Sequence, residues 1–239
     1  MRSATTIIYS VGIVMFPQFS QKFEQMPLQE YGSYVVRVMK NALLIVLPVS
    51  ALFFAFGTPI IRVLFEGGSF TAKDSLQTGM IFSLYSLGMA GFFVFDLLSK
   101  AYYAMGKTLV PLFATLAVLA LCAVLNVVCV QFVPTEPALL AAGTAAAFLI
   151  GGLGLYLWFA RGQKVKFPVL PLLVGLLASA VLGAGCYWIS GHVIAEASSK
   201  FALVWKCGAV GAVGLLVYLL LVSPLLPISE LLRKKKNDQ

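Results

Sequence analysis

The sequence predicts an all-α polytopic membrane protein of about seven transmembrane helices, and three observations predict it. First, 60% of the 239 residues are apolar and 11% are charged, with a mean hydropathy of +0.95. Soluble domains run near half apolar and a quarter charged, and a chain of this size has no water-soluble core large enough to bury so much apolar surface. Second, uncharged windows long enough to cross the hydrocarbon core recur seven times: Ser3–Gln21, Asn41–Ile61, Ser75–Phe95, Thr108–Thr135, Pro137–Ala160, Phe167–Ala195 and Cys207–Ser229. Third, each window is too continuously apolar for a barrel strand, which alternates. In lipid the backbone must close its own hydrogen bonds, which leaves helices. A soluble enzyme, a DNA-binding domain and a disordered tail are excluded. The net charge of +8 is read as loop Lys and Arg rather than as a nucleic-acid footprint.

Trimmed to their apolar centres, the helices are expected at 3–21, 41–61, 75–99, 109–132, 138–160, 168–190 and 204–226, followed by a basic tail at 227–239. The first has only Arg2 as a charged start and no small-residue cleavage site before Pro17-Gln18-Phe19, so a cleavable leader is not expected. Pro17–Lys40 mixes Phe19, Phe23, Tyr31 and Tyr34 with Lys22, Glu24 and Glu30, and reads as a short interfacial helix, a break near Pro27 and a basic entry into helix two. The loop Gly57–Asp74 begins with an apolar stretch, Ile60–Phe65, expected at the interface, then turns at Glu66-Gly67-Gly68. Thr71-Ala72-Lys73-Asp74 has the form of a capping box, a hydroxyl N-cap with an acid three residues on, so helix three should start there. The short link Met105–Thr108 makes helices three and four antiparallel neighbours. Val133–Pro137 joins helices four and five, and Arg161–Lys166 joins five and six.

Orientation follows from the cations. With Arg233-Lys234-Lys235-Lys236 in the cytoplasm, Lys22, Arg37, Lys40, Lys100, Lys107, Arg161, Lys164 and Lys166 fall on the same side, which makes twelve of the seventeen Lys and Arg. Arg2, Arg62, Lys73, Lys200 and Lys206 fall outside. Seven spans then place the N-terminus outside. Two explanations stand for so unusual a start: something upstream is missing, or the first helix is misread.

Little chemistry is available. There is no HExxH, GxSxG, Walker loop or ligand-spaced Cys/His cluster, and the single His192 sits in an outer loop. Cys122, Cys129, Cys186 and Cys207 form no CxxC and read as small packing residues. Asp96 is the conspicuous intramembrane charge. It lies four residues before Lys100, acid first, and the two form either a structural pair along one helix face or a pair lining a cavity. Asn126, midway along helix four, either bonds across helices or lines a polar path. Thr144, Ser83, Ser86 and Ser99 are weaker versions, since such hydroxyls usually bond their own backbone. Glycine is dense in helices five to seven, as at Gly152, Gly175, Gly185, Gly208 and Gly214, where small residues let helices approach closely.

Three blocks carry a resemblance. Pro59-Ile60-Ile61-Arg62-Val63-Leu64-Phe65-Glu66-Gly67-Gly68-Ser69-Phe70-Thr71-Ala72-Lys73-Asp74 resembles the P-I-V-R-L-L-F-E-R-G-A-F-T-A-x-D stretch of the MurJ/MviN family, the lipid II flippases of bacterial peptidoglycan synthesis. Phe95–Thr108, with Pro111 in place, is similar to the family's L-x-R-x-F-Y-A-x-G-D-T-x-x-P, and Val14–Ser20 to its V-x-x-P-x-L-S. The family-motif residues of the outer loop are therefore Arg62, Phe65, Glu66, Gly68, Phe70, Thr71 and Asp74.

The resemblance implies one lobe of a MATE-like two-lobe transporter, matching the later seven of the family's fourteen helices. It also implies a multi-pass place in the bacterial inner membrane, with the N-terminus outside and the C-terminus cytoplasmic. The implied substrate is an undecaprenyl-linked lipid, and the implied partners are membrane lipids and an N-terminal lobe. No enzymatic activity, cofactor or nucleic acid is expected. The family's essential cavity cations lie mainly on the earlier helices and have no counterpart here. Some relatives hold sodium partly on the helix equivalent to helix four. Asn126 matches one ligand position, but Val130 stands where a carboxylate is expected, so no metal site is predicted. In the family the last two helices form a groove for the lipid tail. The alternatives are a lobe of a related polysaccharide or multidrug exporter, or a truncated fragment that transports nothing.

Overall fold

The computed structural model describes residues 15–132, 137–166, 168–191 and 200–223. The start of the expected first helix, the link residues 133–136, His192 and the basic tail at 227–239 lie outside the described residues. Apart from one isolated antiparallel bridge between Gly67 and Phe70, the regular structure described is helical. The elements are α1 (15–25), α2 (Leu28–Ala55), α3 (Gly57–Phe65), α4 (Ala72–Leu87), α5 (Met89–Ala104), α6 (Leu109–Phe132), α7 (Ala138–Gln163), α8 (Val169–Ile189) and α9 (Lys200–Val222). Among the described residues α2, α6, α7, α8 and α9 are each long and apolar enough to cross a bilayer. The α4–α5 pair makes a sixth candidate span, bent by 43°. The chain is a multi-pass helical membrane protein.

The expected helix at 41–61 differs most from what is observed. It begins at Leu28, because Tyr31, Val35 and Met39 repeat at helical spacing and are buried, while Ser33 and Arg37 face outward. Pro27 occupies its N-cap. The end of α1 folds back on this first turn through edge-to-face rings, Phe19–Tyr31 at 6.4 Å and Phe23–Tyr31 at 5.2 Å. The same helix stops at Ala55, and the stretch expected to lie as an interfacial loop is the amphipathic α3. Gly57 lets α3 cross α4 closely, since a Cβ there would stand 2.8 Å from the Gly79 carbonyl.

The span expected at 75–99 begins at Ala72, breaks at Gly88 and ends at Ala104. Serine hydroxyls account for the break. Ser50 donates to the Ser86 carbonyl, and the one Ser86 hydroxyl proton has two acceptors in reach, Ser83 O at 2.6 Å and Ser50 O at 3.3 Å. These bonds compete with the helical ladder at that turn. The capping box at the start of α4 is formed as its spacing implies.

Helix α2 is central. It packs on α4, α5 and α8, while α7 lies against α5 on one side and α6 on the other. Two apolar clusters divide the interior along α2. One joins its first half to α1, α5 and α7 through Tyr31, Met39, Leu98, Tyr102, Tyr156 and Phe159. The other joins its second half to α8 and α9 through Leu44, Phe56, Leu182, Cys186 and Tyr218. Helix α6 turns Leu112, Phe113, Leu116 and Leu119 outward, as a lipid-facing helix does.

Candidate functional site

Asp96 and Lys100 pair directly on α5, one turn apart, with side chains 22% and 17% exposed. Ser99 beside them bonds its own backbone, donating to Phe95 O at 2.7 Å. A charge held this far from water is tolerated because its opposite stands beside it; removing either partner leaves an uncompensated charge.

Asn126 belongs to a second cluster, between α6 and α7. Its amide donates to Thr144 Oγ1 at 3.4 Å and approaches Cys122 Sγ at 3.5 Å, while Thr144 donates to Leu140 O at 2.9 Å. The Asn126 Oδ1 is buried without a hydrogen-bond partner. Gly143 makes room for it, since a Cβ there would come within 2.7 Å of that oxygen. The two clusters do not merge. Asp96 lies eight residues before the end of α5 and Asn126 seventeen residues after the start of antiparallel α6. At 1.5 Å per residue these are levels about 13 Å apart along the axes.

The oxygens around Asn126 do not make a sodium site of the kind some relatives carry. They are Asn126 Oδ1, Thr144 Oγ1 and the Leu140 carbonyl, all neutral, and Val130, one turn on, is 49% exposed and offers no ligand atom. This donor set does not fit a site that takes a carboxylate.

The Gly57–Asp74 loop uses every motif residue to fold itself. Arg62 Nε donates to Glu66 at 3.1 Å. Gly67 and Phe70 exchange backbone bonds of 3.1 Å around a turn in which Gly68 has φ 59, the left-handed region that favours glycine. The Phe65 and Phe70 rings meet at a tilt of 49°, centroids 6.2 Å apart. The Thr71 N–H and hydroxyl both donate to Asp74, at 2.8 and 2.7 Å, and Thr71 Oγ1 accepts from the Asp74 N–H at 3.3 Å. The Glu66 carboxyl is held below the usual carboxylate range by the Ser75 hydroxyl and then the Arg62 guanidinium. Asp74 is held low by the Thr71 hydroxyl and N–H. Lys200, at the start of α9, donates to the Glu66 carbonyl and ties the loop to α9. The loop is therefore a joint braced within itself and to α9.

A groove of about 380 Å³ lies between α8 and α9. Val181, Leu182, Cys186, Val210 and Val217 line it, with the Tyr218 ring on one wall. The lining is nearly all apolar, so it suits a hydrocarbon chain. Sequence reasoning missed Tyr218 and Gln163. Gln163 is 5% exposed at the end of α7, with its Nε2 3.6 Å from Met105 Sδ. Both are polar residues in helices whose only sequence signal is apolarity, and nothing in their spacing marks them.

The family model described as the lipid II flippase MurJ matches residues 4–211. A probable lipid II flippase MurJ of Thermotoga maritima is 28% identical over 239 residues, covering 92% of this chain and 47% of that protein. The probable lipid II flippase MurJ of Rhizobium tropici is 26% identical, over 84% of this chain and 38% of its own length. The one from Buchnera aphidicola subsp. Acyrthosiphon pisum is 32% identical over 117 residues, 49% of this chain and 23% of its own. The chain thus spans less than half the length of these relatives. A solved structure titled lipid II flippase MurJ, inward closed conformation, superposes with a TM-score of 0.71 at 24% identity, over 91% of this chain and 43% of that one. That likeness shows a shared, MATE-like helical fold. With a family model matched over most of its length, the chain belongs to the lipid II flippase MurJ family.

Proposed function

We propose that this chain is the C-terminal lobe of a flippase that carries lipid II, an undecaprenyl-pyrophosphate-linked peptidoglycan precursor, across the bacterial cytoplasmic membrane. It works by alternating access beside an N-terminal lobe, in the same polypeptide or a partner one. The observation that carries the reading is the family match over residues 4–211, which reaches into the middle of α9. The physics supports it. A sugar-peptide pyrophosphate needs a polar cavity for its head and an apolar exit for its tail, and two lobes rocking about a central site offer both in turn. The α8/α9 groove is the tail exit in this reading. Asp96 and Lys100 line the head cavity, where a paired charge exchanges its partner for a passing polar group. The chain is a carrier that makes and breaks no covalent bond, and it needs no cofactor and binds no nucleic acid.

The experiment is complementation of a flippase-depleted strain by this chain together with an N-terminal lobe. Asp96→Asn is expected to abolish rescue at unchanged expression. Full rescue by that variant leaves Asp96 only a structural role and removes the cavity assignment. The proposed topology puts the outer loop on the external face and the end of α7 in the cytoplasm, following the Lys and Arg asymmetry. An engineered thiol at Ser69 should react with an impermeant reagent in whole cells while one near Gln163 stays protected; the opposite pattern overturns the orientation.

A further inference from the structure

Pro48 is buried inside α2 and carries no N–H. In a helix that N–H would bond the carbonyl four residues back, which here is Leu44 O. Leu44 is 1% exposed, and a carbonyl without a donor is costly where water is absent. The donor comes from a different helix: the Tyr218 hydroxyl of α9 bonds Leu44 O at 2.7 Å. The Tyr218 side chain reaches Leu44 beside α8 at Gly175, where a Cβ would stand 2.5 Å from Leu44 Cδ2 and 3.6 Å from the Tyr218 hydroxyl. The ring of the same tyrosine forms a wall of the α8/α9 groove. Three helices therefore meet at one carbonyl that a proline has set free.

We infer that Tyr218 is a positioning residue of the groove: its hydroxyl replaces the helical donor that Pro48 lacks, pins α9 to α2 and fixes the groove's inner wall. A chain seated in the groove presses on the ring whose hydroxyl holds the proline-weakened turn of α2, so occupancy of the groove is communicated to the centre of the lobe. The functional use of this link rests on the tail reading above; its geometry does not.

The test is a cycle of four full-length chains in dodecyl maltoside: wild type, Tyr218→Phe, Pro48→Ala and the double variant. Each is read by its unfolding midpoint and by the labelling rate of native Cys186, which lines the groove and is 3% exposed. Tyr218→Phe keeps the ring and removes the hydroxyl, and with it the donor to Leu44 O. It is expected to lower the midpoint by about 2–4 °C and to speed Cys186 labelling about fivefold. In the Pro48→Ala background, where residue 48 again offers an N–H to Leu44, adding Tyr218→Phe should leave both readings unmoved. A pure packing role for the ring predicts no effect of Tyr218→Phe in either background, and that result overturns the inference. So does an effect that persists in full with Pro48→Ala. If Tyr218→Phe alone fails to accumulate, recovery of the double variant supports the inference and equal loss overturns it. Undecaprenyl phosphate, added to the wild type, should slow Cys186 labelling. Its failure to do so removes the tail reading while the cycle still decides on Tyr218.

Discussion

The α5–α7 seam and the α8–α9 pair are made from the same small residues, and they pack in opposite ways. At the seam, backbone meets backbone. A Cβ on Gly91 would stand 2.5 Å from the Phe148 carbonyl and from Leu149 Cα, and one on Gly152 would stand 2.5 Å from the Gly91 carbonyl. Above and below that contact, rings close the gap edge to face, Phe92–Phe148 at 5.2 Å and Tyr102–Phe159 at 5.5 Å. At the α8/α9 groove, a Cβ on Gly185 would meet nothing within 4 Å, and one on Gly214 would meet the side chains of Leu182 and Cys186 rather than backbone. Glycine at the seam removes a side chain so that helices touch. Glycine at the groove removes a side chain so that space remains. In lipid, where no hydrophobic force drives helices together, close packing holds the first pair, and the second leaves an apolar groove open.

The comparison breaks most readily at the seam. Gly91→Ala and Gly152→Ala force backbones apart and should each destabilise the chain by about 1–3 kcal/mol, measured by denaturant unfolding in micelles. Unchanged stability in both would mean that the seam is not close-packed. A smaller effect is expected at the joint that ties α3 and α4 to α9. Thr71→Ala removes the N-cap of α4 and should cost about 1 kcal/mol, with faster amide exchange in residues 72–76 and none gained along α7. The joint also carries a pH signature. Because Asp74 titrates below its ordinary range in the folded chain, its contribution is complete above that range and is lost as pH falls through the lowered value. Protection at the start of α4, corrected for the intrinsic pH dependence of exchange, should fall in acid, and Asp74→Asn should make that protection insensitive to pH over the same interval. The smallest effect is the groove's half of the contrast: Gly185→Ala should shift stability by no more than about 0.5 kcal/mol. A loss comparable to that of Gly152→Ala would erase the distinction between the two regions.

Much of this is legible in the residues. Uncharged apolar runs foretell membrane helices because only a closed backbone survives in lipid, and Thr71 with Asp74 foretells a helix start because the cap is local chemistry. What stays hidden depends on partners distant in sequence. The stretch after Pro27 reads as a basic entry into a helix starting at Asn41, yet Tyr31, Val35 and Met39 are buried along it and α2 already runs through it from Leu28. The run from Ser75 to Ser99 reads as one rod, yet Ser50, on another helix, takes the carbonyl of Ser86 and helps break it. Pro48 announces a free carbonyl, but only the fold reveals that Tyr218, 174 residues from Leu44, supplies the donor. Among the glycines, spacing alone does not separate those that touch backbone from those that leave space, and nothing in the sequence marks Gly91. For the candidate polar residues, Asp96 and Lys100 are near in sequence and pair as their spacing implies. Asn126 joins Thr144 on the neighbouring helix, and its distance from Asp96 follows from helix lengths rather than from any motif.

The central claim is that this lobe works only beside a counterpart. Its most direct test is transbilayer movement of a fluorescent lipid II in proteoliposomes. This chain alone is expected to leave the lipid in its starting leaflet, and the chain reconstituted with an N-terminal lobe is expected to move it. Movement by this chain alone, at the rate of the two-lobe preparation, would contradict the account.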